Sequence, residues 1–282
     1  MCPSGNQTED IRVANTRVMR WANGGLDNET EDWVAREEPL EIRVKGESIV
    51  VTMRTPGHDK ELAIGFLLAE GVITNSSDVL EIAYCQQGEA SLHKNILNVF
   101  LSPEVEINLD RLKRNVYASS SCGLCGKASI ESLQNIFEPL NKIETVISID
   151  KILTLAQKLR AKQSTFDKTG GLHAAGMFDR NGELLVLRED IGRHNAVDKA
   201  IGKALLDGES FDSQFLLLSG RCGWDIVAKA ARAGIGTIVS IGACSTLAAE
   251  TARLLGMRIF SFMKSHSNVG IGLHSHIENN NP

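Results

Sequence analysis

Apolar positions change their period along this chain. From Glu37 they alternate, and Leu40-Glu-Ile-Arg-Val44 and Ser48-Ile-Val-Val-Thr-Met53 predict two strands around a Lys45-Gly46-Glu47 turn. Arg54-Thr55-Pro56-Gly57 interrupts that pattern. A helix is predicted from Asp59, with Leu62, Ala63, Phe66 and Leu67 on its apolar face and Gly71 as its stop. Val79–Tyr84 and Asn95–Leu101 read as further strands, so this part is a β-rich layer with one helix. Residues 1–35 are polar and weakly patterned, which predicts a loose start.

The second half alternates strands with helices. Asp150 is placed to cap a helix carrying Ile152, Leu155 and Leu159. Strands are predicted at Leu184–Leu187, Gln214–Leu218, Thr237–Ile241 and Arg258–Phe262. The helices between them carry Ala196, Val197, Ala200, Ile201, Ala204 and Leu205; then Ile226, Val227 and Ala230; then Leu247, Ala248, Ala252 and Leu255. That succession predicts an α/β fold: a mainly parallel sheet with helices on both faces, preceded by the β-rich N-terminal part. The implied organisation is a loose segment at 1–35, a β-rich subdomain at 36–115 and an α/β domain at 116–282. The tail from Gly270 reads as irregular.

Composition narrows the classes. A chain of 282 residues, 43% hydrophobic and 23% charged, can bury a full core. A formal charge of −5 gives no support to nucleic-acid binding. There is no apolar run long enough to span a membrane, and the first 25 residues lack the apolar core of a secretory signal. Cys2, Cys85, Cys222 and Cys244 are scattered and do not form a disulfide framework, so a reducing, cytoplasmic setting is expected.

The remaining cysteines stand together in Ser119-Ser-Ser-Cys122-Gly-Leu-Cys125-Gly-Lys127, before a segment with Ile130, Leu133, Ile136 and Phe137 at helical spacing. The thiols would then sit in a tight loop at a helix N-terminus. Free amides, the helix dipole and Lys127 would each lower a thiol pKa there. Rival readings exist. A structural zinc site needs more nitrogen or sulfur ligands than this pair, and the chain has no second CxxC. A thioredoxin-like pair needs a different βαβ context. A zinc deaminase needs HxE before PCxxC; here the CxxC comes first, Ser121 replaces the proline and Leu172-His173-Ala-Ala175 has no glutamate.

Arg193-His194, Ser219-Gly220-Arg221 and Gly242-Ala243-Cys244-Ser245 each follow a strand and open a helix. Ligands of open α/β sheets bind at strand carboxyl ends, where helix amides and arginines suit an anionic, phosphorylated group. The plain alternative is ordinary short β–α turns, in which Gly and Ser are common. His173 and His194 fit proton transfer or a structural hydrogen-bonding role. Glu61 and Glu70 are expected to face water, Arg36-Glu37-Glu38 to form a solvated turn, and Cys222 and Cys244 to be small buried fillers.

Taken in order, Glu37-Glu38-Pro39-Leu40, Met53-Arg-Thr-Pro-Gly-His-Asp59, Gly65-Phe-Leu67 with Glu70-Gly71, Ser121-Cys122-Gly-Leu-Cys125-Gly-Lys127, Thr169-Gly-Gly-Leu-His173-Ala-Ala175 and Arg188-Glu-Asp-Ile-Gly-Arg193-His194-Asn-Ala-Val-Asp198-Lys199 resemble the FdhD/NarQ family over roughly residues 36–265. The resemblance implies a sulfurtransferase, a persulfide carrier with Cys122 and Cys125 as sulfur-handling residues. It implies relay of sulfur from a cysteine desulfurase to a molybdenum or tungsten bis-guanine-dinucleotide cofactor of formate dehydrogenase. That cofactor is then a bound substrate with a GDP-like moiety, and no permanently bound metal is expected. The resemblance also implies a homodimer, a cytidine-deaminase-like α/β fold without deaminase activity, and cofactor contacts at Arg193, Arg221 and Phe262, Met263, Lys264, Ser265, His266 and Ser267. The chain departs from the family pattern at Cys222-Gly-Trp-Asp225, at Gly242-Ala-Cys-Ser245, at Lys264 and at Gly270. The competing class is a zinc-binding or redox CxxC protein that docks partners without sulfur transfer.

Overall fold

The computed structural model describes residues 10–88, 90–107, 137, 139–140, 149–211, 214–261 and 272–274. Its first element corrects an expectation. The supposedly loose start carries β1 (Val13–Val18) and β4 (Thr30–Ala35), paired antiparallel, with a hairpin of β2 (Trp21–Ala22) and β3 (Gly25–Leu26) between them. Little of this ribbon is buried beyond Val13, so main-chain hydrogen bonds define it and the hydrophobic pattern could not announce it.

The strands β5 (Glu38–Val44), β6 (Glu47–Arg54), β7 (Val79–Tyr84) and β8 (Ile96–Leu101) form a sheet in the order β6-β5-β8-β7. Lys45 and Gly46 both have positive φ (52° and 79°), the conformation a tight hairpin between β5 and β6 demands. Alternation places Leu40, Ile42 and Val44 in the core. Gly57 at φ 94° and His58 at φ 59° turn the chain into α1 (Asp59–Ala69), and a short α2 (Ala90–His93) precedes β8.

A second sheet holds β9 (His173–Phe178), β10 (Leu184–Asp190), β11 (Phe215–Leu218), β12 (Thr237–Ser240), β13 (Arg258–Ser261) and β14 (Gly272–His274), in the order β10-β9-β11-β12-β13-β14. It is mixed rather than mainly parallel: β11–β12 and β12–β13 pair in parallel, while β10–β9, β9–β11 and β13–β14 are antiparallel. The strand at His173–Phe178 was hidden by its small residues, and β14 adds a strand in the tail expected to be irregular. Even so, β10, β11, β12 and β13 all run one way, because β9 reverses direction between β10 and β11.

Both faces of this sheet are covered by helices. Ile152, Leu155 and Leu159 of α3 (Ile149–Arg160) pack on Ala174, Phe178, Phe215, Leu217 and Val239. After the short α4 (Ser164–Thr169), the opposite face carries α5 (Arg193–Leu206), α6 (Trp224–Arg232) and α7 (Thr246–Leu254) on Ala175, Met177, Leu216 and Ile238. The same buried cluster continues through α1 into Leu40, Ile42, Leu97 and Val99 of the smaller sheet. The layers therefore run small sheet, helices, large sheet, α3. Each large apolar side chain buried between them contributes about 1.5–3 kcal/mol.

Within the helical layer α1 and α5 touch backbone to backbone. A methyl group at Gly65 would lie 1.9 Å from the Asp198 carbonyl oxygen, and one at Gly202 would lie 1.9 Å from the Glu61 carbonyl oxygen. Polar groups stitch the same layer. Arg54, 2% exposed, donates to both carboxylate oxygens of Asp59 (3.1 and 2.9 Å), and the Tyr84 hydroxyl donates to Asp59 (3.0 Å). Arg54 also donates to Glu38 (3.2 Å), so Glu38 is an anchored start of β5 rather than part of a solvated turn. Glu61 does not face water either. Burial raises its carboxyl, but the forked hydrogen bonds of Arg188 together with His58 and the charges of both outweigh that and hold it at about 2. Glu70 is half-buried, and burial raises its carboxyl against Lys229 and Arg232.

The glycine contact gives a direct test. Gly202→Ala should destabilise the protein by about 1–3 kcal/mol or more in urea denaturation, because the atom in its way is backbone. Gly25→Ala, with nothing within 4 Å, should stay within about 0.5 kcal/mol of the parent. Equal stability of the two variants would disprove the backbone contact.

Candidate functional site

The common direction of β10, β11 and β12 brings their carboxyl ends to one edge, and β9 starts there. That edge collects His173, Arg193, His194, the turn Ser219-Gly220-Arg221 and the turn Gly242-Ala-Cys-Ser245. The turns are laced together. The Gly242 amide donates to the Gly220 carbonyl (3.1 Å), and the Ser240 hydroxyl donates to that same oxygen (2.8 Å). A methyl group at Gly242 would sit 2.8 Å from the Gly220 oxygen, so these turns can run side by side only without a side chain there. On the other flank Ser219 and Ala174 exchange hydrogen bonds: the Ser219 amide donates to the Ala174 carbonyl (2.9 Å) and the Ser219 hydroxyl accepts from the Ala174 amide (2.8 Å).

Asp190 fixes the start of α5. Fully buried, it accepts from the Gly192 amide (2.8 Å), the Asn195 side chain (3.1 Å) and the Thr55 amide (3.1 Å), and it pairs with Lys199 Nζ (2.6 Å). Lys199 also donates to the Thr55 carbonyl (2.7 Å), and Asn195 donates to the Met53 carbonyl (2.7 Å). Much of the Arg188–Lys199 motif thus serves to hold α5 against β6. Asp198 is likewise structural, paired with Lys229 (2.7 Å), while burial pushes its carboxyl up to about 6.

Arg193 and Arg221 are not part of these structural pairs. Arg193 is half-buried, and its Nε has no hydrogen-bond partner; Arg221 is exposed. Neither α5, capped by Gly192, nor α6, capped by Gly223, has a side-chain cap, although the Ile226 amide of α6 already donates to the Gly223 carbonyl (3.2 Å). Gly220 lies against His173, whose Nδ1 is 3.3 Å from where a Gly220 methyl would be. Burial and then the positive charge of Arg193 and Arg221 hold the His173 imidazole below its ordinary pKa. His194 pairs with Asp225 at the start of α6. Burial, with Arg193, Lys229 and His173, nevertheless depresses it to about 4, against the pull of Asp225. Both shifts favour the uncharged rings near pH 7, so the edge offers arginine forks, helix-start amides and imidazoles beside the Asp225 carboxylate, a set in which the arginines suit an oxyanion or phosphate.

Sequence reasoning put Arg193 and Arg221 after the carboxyl ends of β10 and β11, where they lie. Cys122, Cys125 and Phe262, Met263, Lys264, Ser265, His266 and Ser267 lie outside the described residues. It overlooked Asp225, and it read Cys222 and Cys244 as fillers. The structure pairs them with each other in an isolated parallel bridge, Cys222 buried and Cys244 half-buried. A signal was available: the offset from Leu218 to Ser240, partners on β11 and β12, is also the offset from Cys222 to Cys244. A separate cleft of about 420 Å3 borders the smaller sheet, lined by residues including Arg36, Arg54, Tyr84 and Lys94. Arg54 is already neutralised there by Asp59 and Glu38.

The depressed His194 pKa has a signed consequence. The native state binds this proton less readily than an unfolded chain, whose imidazole titrates near the ordinary 6.5. The penalty is absent above that pH and grows as pH falls toward about 4. Asp198, raised to about 6, acts in the opposite direction over part of the same window, so the parent must be compared with His194→Gln. Urea midpoints should fall more steeply with acidification in the parent. Parallel slopes would show that His194 does not titrate abnormally.

Known proteins supply the context for this edge. The FdhD/NarQ family matches residues 35–273. A protein named sulfur carrier protein FdhD from Corynebacterium efficiens is 44% identical over 273 residues, 93% of this chain and 96% of that protein. Its namesake from Streptomyces coelicolor is 41% identical over 262 residues, 91% of this chain and 93% of that protein. A crystal structure described as a formate dehydrogenase accessory protein from Desulfotalea psychrophila superposes with a TM-score of 0.71 at 26% identity, covering 94% of this chain and 98% of that one. With the motifs in order, the matched span and these relatives, the chain belongs to the FdhD/NarQ family.

Proposed function

We propose that this protein is a sulfur carrier that serves formate dehydrogenase. Cys122 or Cys125 takes sulfane sulfur from a cysteine desulfurase and passes it to a molybdenum bis-guanine-dinucleotide cofactor held as substrate. What supports the reading is a CxxC motif in the sequence and, within the same family-matched span, an edge whose Arg193, Arg221 and uncapped helix starts suit phosphate. In the loading step a Cys122 thiolate attacks the outer sulfur of the donor's persulfide. The donor S–S bond breaks, its cysteine leaves as thiolate, and Cys122 becomes the persulfide. Cys125 is the resolving thiol: its attack on the inner sulfur releases hydrosulfide to the cofactor and leaves a Cys122–Cys125 disulfide for a small thiol to reopen. Arg193 and Arg221 would clamp the guanine-dinucleotide phosphates, as would the Phe262–Ser267 segment that follows β13. A cytidine-deaminase-like core without deaminase chemistry, a homodimer and a cytoplasmic setting belong to the same proposal.

Incubation with a cysteine desulfurase and cysteine should add one sulfur, about 32 Da, to the peptide carrying Cys122 and Cys125. Sulfur found only on Cys85, Cys222 or Cys244 would overturn the assignment, and stoichiometric zinc released by blocking the loop thiols would favour the zinc-binding alternative. Calorimetric titration should show GDP binding. Arg193→Gln or Arg221→Gln should weaken it by roughly tenfold, the loss expected for one charged hydrogen-bond donor. Titrations without heat, and without a shift in melting temperature at millimolar GDP, would remove the nucleotide from the proposal.

A further inference from the structure

The turns after β11 and β12 keep the parallel register of their strands. The Cys222 amide donates to the Ala243 carbonyl (2.9 Å), and the Ser245 amide donates to the Cys222 carbonyl (3.1 Å), which makes Cys222 and Cys244 bridge partners. Neighbouring strands lie about 4.8 Å apart. That falls inside the roughly 4.4–6.8 Å between Cα atoms that a disulfide spans. The Cys222 thiol donates weakly to the Gly223 carbonyl (4.0 Å) and the Cys244 thiol to the Ser245 carbonyl (3.3 Å), and the two sulfurs are near enough for each thiol to shift the other's pKa. Cys222 is 1% exposed, while Cys244 is half-buried and open to a small reagent.

We propose that Cys222 and Cys244 form a second oxidisable thiol pair, separate from Cys122 and Cys125, which closes to a disulfide when the protein meets hydrogen peroxide. Cys244 is the attacking thiol. Interaction with the neighbouring Cys222 thiol, helped by the charge of Arg253, lowers its pKa, whereas the same interaction and burial raise the pKa of Cys222. The Cys244 thiolate attacks a peroxide oxygen, the O–O bond breaks, hydroxide leaves, and Cys244 becomes a sulfenic acid. Cys222 then gives up its proton and attacks that sulfur, the S–O bond breaks, and water leaves. The balance is two thiols and one peroxide to one disulfide and two waters. The new bond staples the turn carrying Arg221 to the turn whose Ser245 caps α7.

The test treats the reduced, full-length chain with equimolar hydrogen peroxide, blocks free thiols and maps the peptides without reduction. The expected product is a cross-linked peptide joining Cys222 to Cys244, formed equally in a Cys122→Ala/Cys125→Ala variant and absent from Cys244→Ser. Before oxidation, native alkylation should label Cys244 at least roughly tenfold faster than Cys222, in keeping with thiolate character and access. Three results would overturn the proposal: both thiols still alkylatable after peroxide, Cys244 driven to sulfinic acid with Cys222 free, or either thiol linked only to Cys122 or Cys125. These readings use the parent chain and the loop variant, so they stand even if Cys244→Ser folds poorly.

Discussion

Asp190 lies at the end of β10 with no exposure, and its carboxylate is shared among the Thr55 and Gly192 amides, the Asn195 side chain and the Lys199 ammonium. A buried charge of this kind is tolerable only when donors surround it. Here the donors come from the turn after β10, from the first turns of α5 and from the segment after β6. One carboxylate therefore sets where α5 begins, how β6 meets it, and where Arg193 and His194 emerge. Removing either Asp190 or Lys199 alone would strand the other's charge in the interior.

The glycine crossing of α1 and α5 is the steric counterpart of that electrostatic constraint. Backbone contact at Gly65 and Gly202 lets the helices lie closer than any side chain would allow. This keeps the Thr55 carbonyl within reach of Lys199 and Glu61 within reach of Arg188. The small sheet, the helical layer and the large sheet thereby share one buried cluster. Interiors packed to this density transmit strain, and the sheet edge that carries the arginines is built on that crossing.

The chemistry at that edge follows from what these constraints leave unused. Asp198, Lys199 and Asn195 are occupied by structural partners, while Arg193 and Arg221, the first amides of α5 and α6 and two neutral imidazoles are not fully engaged. Small residues in the turns after β11 and β12 allow a ligand backbone-close approach, and the same tight register brings Cys222 and Cys244 together. The proposed anion site and the proposed thiol pair are thus adjacent because both depend on strands ending at one level.

The sequence by itself determined the elements with clear periodicity. Leu40–Val44, Leu62 to Leu67 and the β–α alternation after Asp150 are read from side chains whose burial repeats every two or about three and a half residues. It also placed Arg193 and Arg221 at strand ends, because Gly and Ser beside a charged residue mark a turn that opens a helix. What only tertiary structure decided has no local signature. The ribbon at Val13–Ala35 is held by main-chain bonds, and the reversal of β9 depends on which neighbours it pairs with. The burial of Glu61 rests on Arg188, far along the chain. Cys222 and Cys244 look like isolated small residues in sequence, and become partners because parallel pairing of β11 and β12 carries a shared offset past the strand ends.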